Sequence, residues 1–196
     1  MSSKLAGTDS SANKTAKSRP RRGGFAAAFV SFIACLVAWT LPAQDLPQQQ
    51  IEAAMTLRVL SFTEWPQEAH PIQIGVFEDS DSLTAFQSLL QNETFRSRFE
   101  VRLIDRDISS EQLRGLQAIY FSEPDLTAIP RIVLRTAGQP IVLIGAFEDF
   151  LEMGGMVNFI KRQRKLSFEI DLKTSRQRGI EYRAKLLRLA SRIVEE

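Results

Sequence analysis

At 196 residues, with 44% hydrophobic and 24% charged side chains, the chain holds material for one ordinary globular domain and a tail. Its formal net charge of +2 is unevenly spread: residues 1–43 carry six Lys/Arg and one acid, Asp9, which leaves 19 basic against 22 acidic residues over 44–196. A mildly acidic body excludes nucleic acid as the main partner, because phosphate binding needs clustered positive charge.

Residues 1–43 read as an export signal. Arg19 to Arg22 form a basic flank, Phe25 to Leu41 is an uncharged, mostly apolar run of 17 residues, and Leu41-Pro42-Ala43 offers a small residue before Gln44. The alternative is an uncleaved anchor, 17 residues being the short limit for a spanning helix. In both cases the basic flank stays cytoplasmic and the domain faces outward. Arg21-Arg22-Gly23-Gly24-Phe25 approximates a twin-arginine signal with Phe one place late. Phe32-Ile33-Ala34-Cys35 approximates a lipoprotein box with Phe at the usual Leu position. Cys35 is the single cysteine, so removal of the signal would leave no thiol chemistry.

Residues 44–50 read as a polar linker, and 51–196 as the folded domain. Ile51, Ala54, Met55, Leu57, Val59, Leu60 and Phe62 fall near a helical period, which predicts a helix over 48–62 stopped before Trp65-Pro66. Trp65 is expected to pack on the domain edge, with a ligand-stacking platform as the alternative. Residues 72–77 predict a strand. A turn over 78–81 follows, with Ser80 or Asp81 as cap of a helix running to Gln91 and burying Leu83, Phe86, Leu89 and Leu90. Strands are expected at 99–104 and 118–121, with a helical connection over 105–115. A helix from Pro124 buries Leu126, Ile129, Ile132, Val133 and Leu134, and Gly138 follows its end. Ile141 to Ile144 is wholly apolar, the mark of a strand covered on both faces. After a turn over 147–153, the alternating runs 154–160 and 166–172 flank a short basic turn and predict an antiparallel hairpin. The last element reads as a long amphipathic helix. Tyr182, Leu186, Leu189 and Ile193 form one row, and Ile180, Ala184, Leu187, Ala190 and Val194 the next. The alternation predicts a single α/β domain: a mixed, mostly parallel sheet of about six strands, helices on both faces, and a C-terminal hairpin plus long final helix.

Candidate chemistry is sparse. His70 is the only histidine, with no second His or Cys in the mature chain to share a metal. The acidic groups Glu78-Asp79-Asp81, Asp105-Asp107 and Glu148-Asp149 lie at strand ends, where α/β sheets place sites. Carboxylates there also serve as ordinary caps, and none has calcium-loop spacing. No glycine-rich phosphate loop or nucleophile elbow stands out. Ile74 to Asp79 is echoed by Ile144 to Asp149, read as two strands ending in similar turns, with a duplicated half-domain as the alternative. The C-terminal third is basic. Its charge is either a solvated face or a docking surface for an acidic protein or a membrane, with Arg162, Arg164, Arg176 and Arg178 as the candidate partner-binding residues.

The order of features resembles the YfiR family of small exported proteins over roughly residues 50–194: the helix ending in Trp65-Pro66, the strand Ile72-Gln73-Ile74-Gly75-Val76, Gly155-Met156-Val157-Asn158-Phe159, the strand Leu166 to Leu172, and Tyr182 to Ala190. Asp171 stands where the family usually has Asn, no Ala follows in 174–176, and the cysteines of some members are absent. The resemblance implies a dimer-forming periplasmic regulator rather than an enzyme, with no cofactor. Such a regulator binds the periplasmic part of an inner-membrane diguanylate cyclase and holds it inactive, so that cyclic-di-GMP and biofilm behaviour follow envelope conditions. A periplasmic small-ligand-binding module and an exported enzyme using the acidic strand ends are the competing readings.

Overall fold

A computed structural model describes residues 46–67, 70–162 and 165–195. The expected export signal and Cys35 lie outside the described residues. The elements in chain order are α1 (Gln48–Ser61), β1 (Thr63–Glu64), β2 (Ile72–Phe77), α2 (Ser80–Leu89), α3 (Glu93–Arg96), β3 (Phe99–Ile104), α4 (Ser110–Arg114), β4 (Ala118–Phe121), α5 (Ala128–Arg135), β5 (Val142–Gly145), β6 (Val157–Arg162), β7 (Lys165–Asp171), α6 (Leu172–Gln177), β8 (Glu181–Tyr182), α7 (Ala184–Leu187) and β9 (Arg192–Val194).

Seven strands form the main sheet in the order β3-β2-β4-β5-β6-β7-β9. The first five run parallel, β7 turns back antiparallel to β6, and β9 lies parallel to β7. The sheet is therefore α/β and mostly parallel, one strand wider than expected. Alternation along the strands divides the core into two layers. Ile74, Val76, Ala118, Tyr120, Val142, Ile144, Val157 and Phe159 face α1, α2 and the C-terminal segment. Ile119, Phe121 and Leu143 face the opposite layer with Leu113 of α4, Ile129 and Ile132 of α5, and Phe150. With period-two side chains, a strand apolar at every position must be covered on both sides, and β4 and β5 are.

Three local readings are corrected. The cap of α2 is Asp79, one residue earlier than Ser80. Its Oδ1 accepts from the backbone N–H groups of Asp81 and Ser82, each at 3.0 Å. Helix α5 starts at Ala128, not near Pro124, because Asp125 Oδ1 accepts from the N–H groups of Thr127 (2.9 Å) and Ala128 (2.7 Å). Only Ile129 and Ile132 of the expected stripe are buried, while Leu126 and Leu134 are 81% and 76% exposed. Leu134 lies five residues, or about 140° of helix, away from Ile129.

The long final helix is the third correction. Gly179, at φ +73°, ends α6 after one and a half turns: its N–H reaches Arg176 O (2.9 Å) and the Ile180 N–H reaches Ser175 O (3.0 Å). Beyond it the chain forms β8, which pairs antiparallel with β1 through Thr63↔Tyr182, then the single turn α7, then β9 on the sheet edge. Tyr182 and Leu186 are buried as their row requires, but Leu189 is 64% exposed. The periodicity was thus fortuitous past one turn.

Candidate functional site

Strand order sets where a site can form. The chain leaves β2 toward β3 on one side, then crosses back to place β4 on the other, so the direction of winding reverses between β2 and β4. A crevice of about 440 Å³ lies at their carboxyl ends, lined by Glu78, Asp79, Asp81, Ser122, Glu123 and Asp125 among others. Of the expected acidic residues Glu78 and Asp79 are already engaged there, as is Asp125, which was not among them. Arg106 Nε and Nη2 donate to the two Glu78 oxygens at 3.0 and 2.7 Å. Arg106 also lies 3.5 Å from Asp125, whose other oxygen starts α5. The Arg106 hydrogen bonds hold Glu78 below the usual carboxylate range, and the backbone N–H groups of Ala128 and Thr127 do the same for Asp125. Burial raises Asp79, but hydrogen bonds from Ser122 and Ser82 outweigh it and leave its carboxyl lowered. Three carboxylates held ionised are poor proton donors at neutral pH, and each serves as a cap or ion-pair partner. Among the described residues no cluster of three His, Cys, Asp or Glu side chains is arranged to hold a metal ion.

Beneath the crevice lies a polar network that sequence reading missed. Glu52, on the buried face of α1 and only 4% exposed, accepts from the Tyr120 hydroxyl at 2.6 Å and from Gln48 Nε2 at 2.7 Å. Burial, then the Glu52 charge, pushes the Tyr120 phenol well above its ordinary value. The Ser82 hydroxyl, itself buried, donates to Asp79 Oδ2 at 2.6 Å. The one available signal was an acid at an otherwise apolar helix position, Glu52 next to Ala53.

Trp65 is half-buried, and its indole Nε1 is buried with no partner among the described residues. It borders a hollow of about 290 Å³ together with His70, Arg98 and Arg183. Arg183 Nε donates to Glu64 at 3.0 Å.

The three candidate arginines among the described residues, Arg162, Arg176 and Arg178, do not share one surface. Arg162 ends β6 at the same edge as the carboxyl ends of β2 and β4, since these strands are parallel; Arg164 lies outside the described residues. Arg176 and Arg178 follow the far end of β7, seven residues long and antiparallel, so about 20 Å separates them from Arg162. Arg162 Nη2 lies 3.5 Å from Glu169, and Arg176 lies 3.7 Å from Glu181. Arg178 is turned inward. Its Nη1 donates to Thr136 O and Oγ1, each at 3.0 Å, and burial lowers its guanidinium from the ordinary value. It ties α6 to the end of α5.

On the hairpin side of that edge, Leu46, Gln48, Ile51 and Met55 from α1 and its approach face Lys161, Lys165 and Leu166 across a groove of about 730 Å³. Leu46 is 63% and Ile51 39% exposed. The carboxyl edge of the sheet thus carries an acidic half and an apolar, basic half, with the first turn of α1 between them.

These features define a doubly wound α/β domain whose charged groups at the crevice are engaged in helix caps and ion pairs. A family model described as YfiR/HmsC-like matches residues 49–191, and the chain belongs to that family. A search of curated proteins returns no significant match. Among solved structures, a conserved domain protein from Vibrio cholerae O1 biovar El Tor is similar at a TM-score of 0.54 and 12% identity, covering 76% of this chain and 61% of its own. The ABC domain in complex with L-Trp from Streptococcus pneumonia is similar at 0.49 and 13%, covering 74% of this chain and 60% of its own. The chain therefore spans less than two thirds of the length of either, and the likeness to the Vibrio protein concerns the fold alone.

Proposed function

We propose that this protein is a non-enzymatic periplasmic regulator that binds the periplasmic part of an inner-membrane signalling protein, a diguanylate cyclase, and holds it inactive. The single observation that carries this reading is the YfiR/HmsC-like match over residues 49–191. On this reading residues 1–43 direct export, and 44–50 lead into the domain, 51–196, that binds the target. Among the described residues no helix is long and apolar enough to cross a membrane. Repression requires no reacting group, only a surface that favours one conformation of the target. Moving a target from mostly active to mostly inactive takes about 5 kcal/mol of differential binding, within reach of a few buried anchors.

The test pairs affinity purification of the tagged, exported protein from detergent-solubilised membranes with cyclic-di-GMP measurement in a deletion strain. A membrane protein with a cyclase domain should co-purify, and cyclic-di-GMP should rise on deletion. Unchanged cyclic-di-GMP with no membrane partner would overturn the reading. A second reading, a periplasmic small-ligand-binding module, draws on the crevice at the winding reversal between β2 and β4. It requires a rise in Tm with some envelope metabolite and fails if a broad thermal-shift screen finds none.

A further inference from the structure

The groove between α1 and the β6–β7 hairpin is a second feature of the carboxyl edge, apart from the crevice. Its floor is aliphatic, from Ile51, Met55 and Leu166, and its rim carries Lys161 and Lys165. A helix normally buries its aliphatic side chains against its own domain, yet Ile51 of α1 stands out into this space, as does Leu46 just before the helix. Both lysines are exposed, and no carboxylate among the described residues lies within salt-bridge distance of either. Among the described residues Lys161 donates to Gln48 Oε1, at 3.4 Å.

We propose that this groove receives an acidic amphipathic helix of a protein partner, its apolar face on Ile51, Met55 and Leu166 and its carboxylates on Lys161 and Lys165. The proposal rests on the regulator reading and names the surface through which the regulator grips its target. The shape favours a helix, because a concave channel walled by a helix and a hairpin accepts apolar anchors at i, i+3 and i+4. The sign of the rim favours acid. Exposed cations beside an apolar floor steer an acidic partner in and exclude a basic one. A second copy of this chain is a weaker occupant. Its exposed leucines at 134 and 189 neighbour Arg135 and Arg188, which bring like charge to the lysines. Leu126, beside Asp125, has the right sign but offers a head-to-tail contact that leaves one groove of a dimer empty.

The experiment is photo-crosslinking in the native host with the full chain. Benzoylphenylalanine replaces Ile51 in one strain and, as a control on the opposite layer, Leu134 in another. Position 51 should give an adduct with a membrane protein whose crosslinked peptide interleaves apolar residues with Asp or Glu. That adduct should fall about tenfold in the Lys161→Glu/Lys165→Glu variant and persist in Lys161→Arg/Lys165→Arg. Purified variants must keep the parental Tm, which separates a lost contact from a lost fold. Adducts with a second copy, with residues 1–45 of the same chain or with lipid would overturn the proposal, as would an adduct indifferent to charge reversal. A membrane-protein adduct from position 134 alone removes the groove and leaves the regulator reading standing. So does a rise of cyclic-di-GMP on deletion with no adduct at 51. No adduct at either position together with unchanged cyclic-di-GMP removes both.

Discussion

Glu52 is the residue whose placement decides how α1 is held. A carboxylate 4% exposed persists because the Tyr120 hydroxyl and the Gln48 amide both donate to it. Tyr120→Phe removes the shorter of those bonds while keeping the ring's edge-on contact with Phe86. It should cost about 1–3 kcal/mol in urea unfolding, since the carboxylate stays buried with fewer donors. A loss under about 0.3 kcal/mol would mean that water reaches Glu52. Asp79 governs a different property. Its carboxyl is lowered in the folded state, so its contribution is fully present above the unfolded value, near pH 4, and is lost as pH falls through the lowered folded value. Asp79→Asn keeps a capping oxygen but cannot titrate. Its unfolding free energy should therefore fall less steeply than the parent's between about pH 4 and 2. Parallel acid limbs would contradict this. Asp171 caps α6: Oδ1 accepts from Thr174 N–H at 2.8 Å and Oδ2 from the Thr174 hydroxyl at 2.7 Å. Asn could keep both contacts, the second with its amide N–H donating to the Thr174 oxygen, so the capping geometry does not explain the departure from the family pattern.

The elements show which parts of the fold were legible in the chain and why. β2, β3, β4 and β5 stand where their short apolar runs placed them, and the hairpin of β6 and β7 lies across the expected basic turn. Such runs can be read locally because a strand covered on both faces has no polar alternative. The C-terminal segment was misread because apolar residues spaced three and four apart also suit a chain that folds back and buries every other contact. The decisive residue was Gly179, whose positive φ stops α6 and allows Ile180 and Tyr182 to turn under the sheet. Gly179→Ala meets no steric obstacle, its nearest neighbour being Pro66 at 3.6 Å, so its cost is the backbone alone. It should destabilise by about 1–2 kcal/mol, and hydrogen exchange at β8 should accelerate more than at β4. Uniform acceleration would show that the segment unfolds only with the whole domain. The candidate arginines were legible as charge but not as geometry. Arg178 differs from Arg162 only in tertiary surroundings, which spacing does not encode. The crevice was half legible: Glu78, Asp79 and Asp81 were flagged as strand-end acids but Glu123 and Asp125 were not, since they join the site only because β2 and β4 lie side by side.

At the scale of the whole molecule, parallel winding gathers the carboxyl ends of β2, β4, β5 and β6 on one edge, and sequence then charges that edge unevenly. Glu78, Asp79 and Asp125 hold one side, Lys161 and Lys165 the other, with the first turn of α1 between. A partner approaching this edge meets two fields of opposite sign within a few Debye lengths, each about 10 Å at 0.1 M salt. Steering and grip should therefore separate in kinetics. With the periplasmic domain of the proposed partner immobilised, raising salt from about 0.05 to 0.5 M should slow association several-fold and leave dissociation nearly unchanged, because screening acts on the encounter. Ile51→Ser should do the reverse, since an apolar anchor holds the formed complex and leaves the long-range field untouched. Lys161→Glu combined with Lys165→Glu should abolish the favourable salt dependence or invert it. Association indifferent to salt in the parent, or an Ile51→Ser variant that slows encounter without hastening release, would place the contact elsewhere than the basic half of this edge.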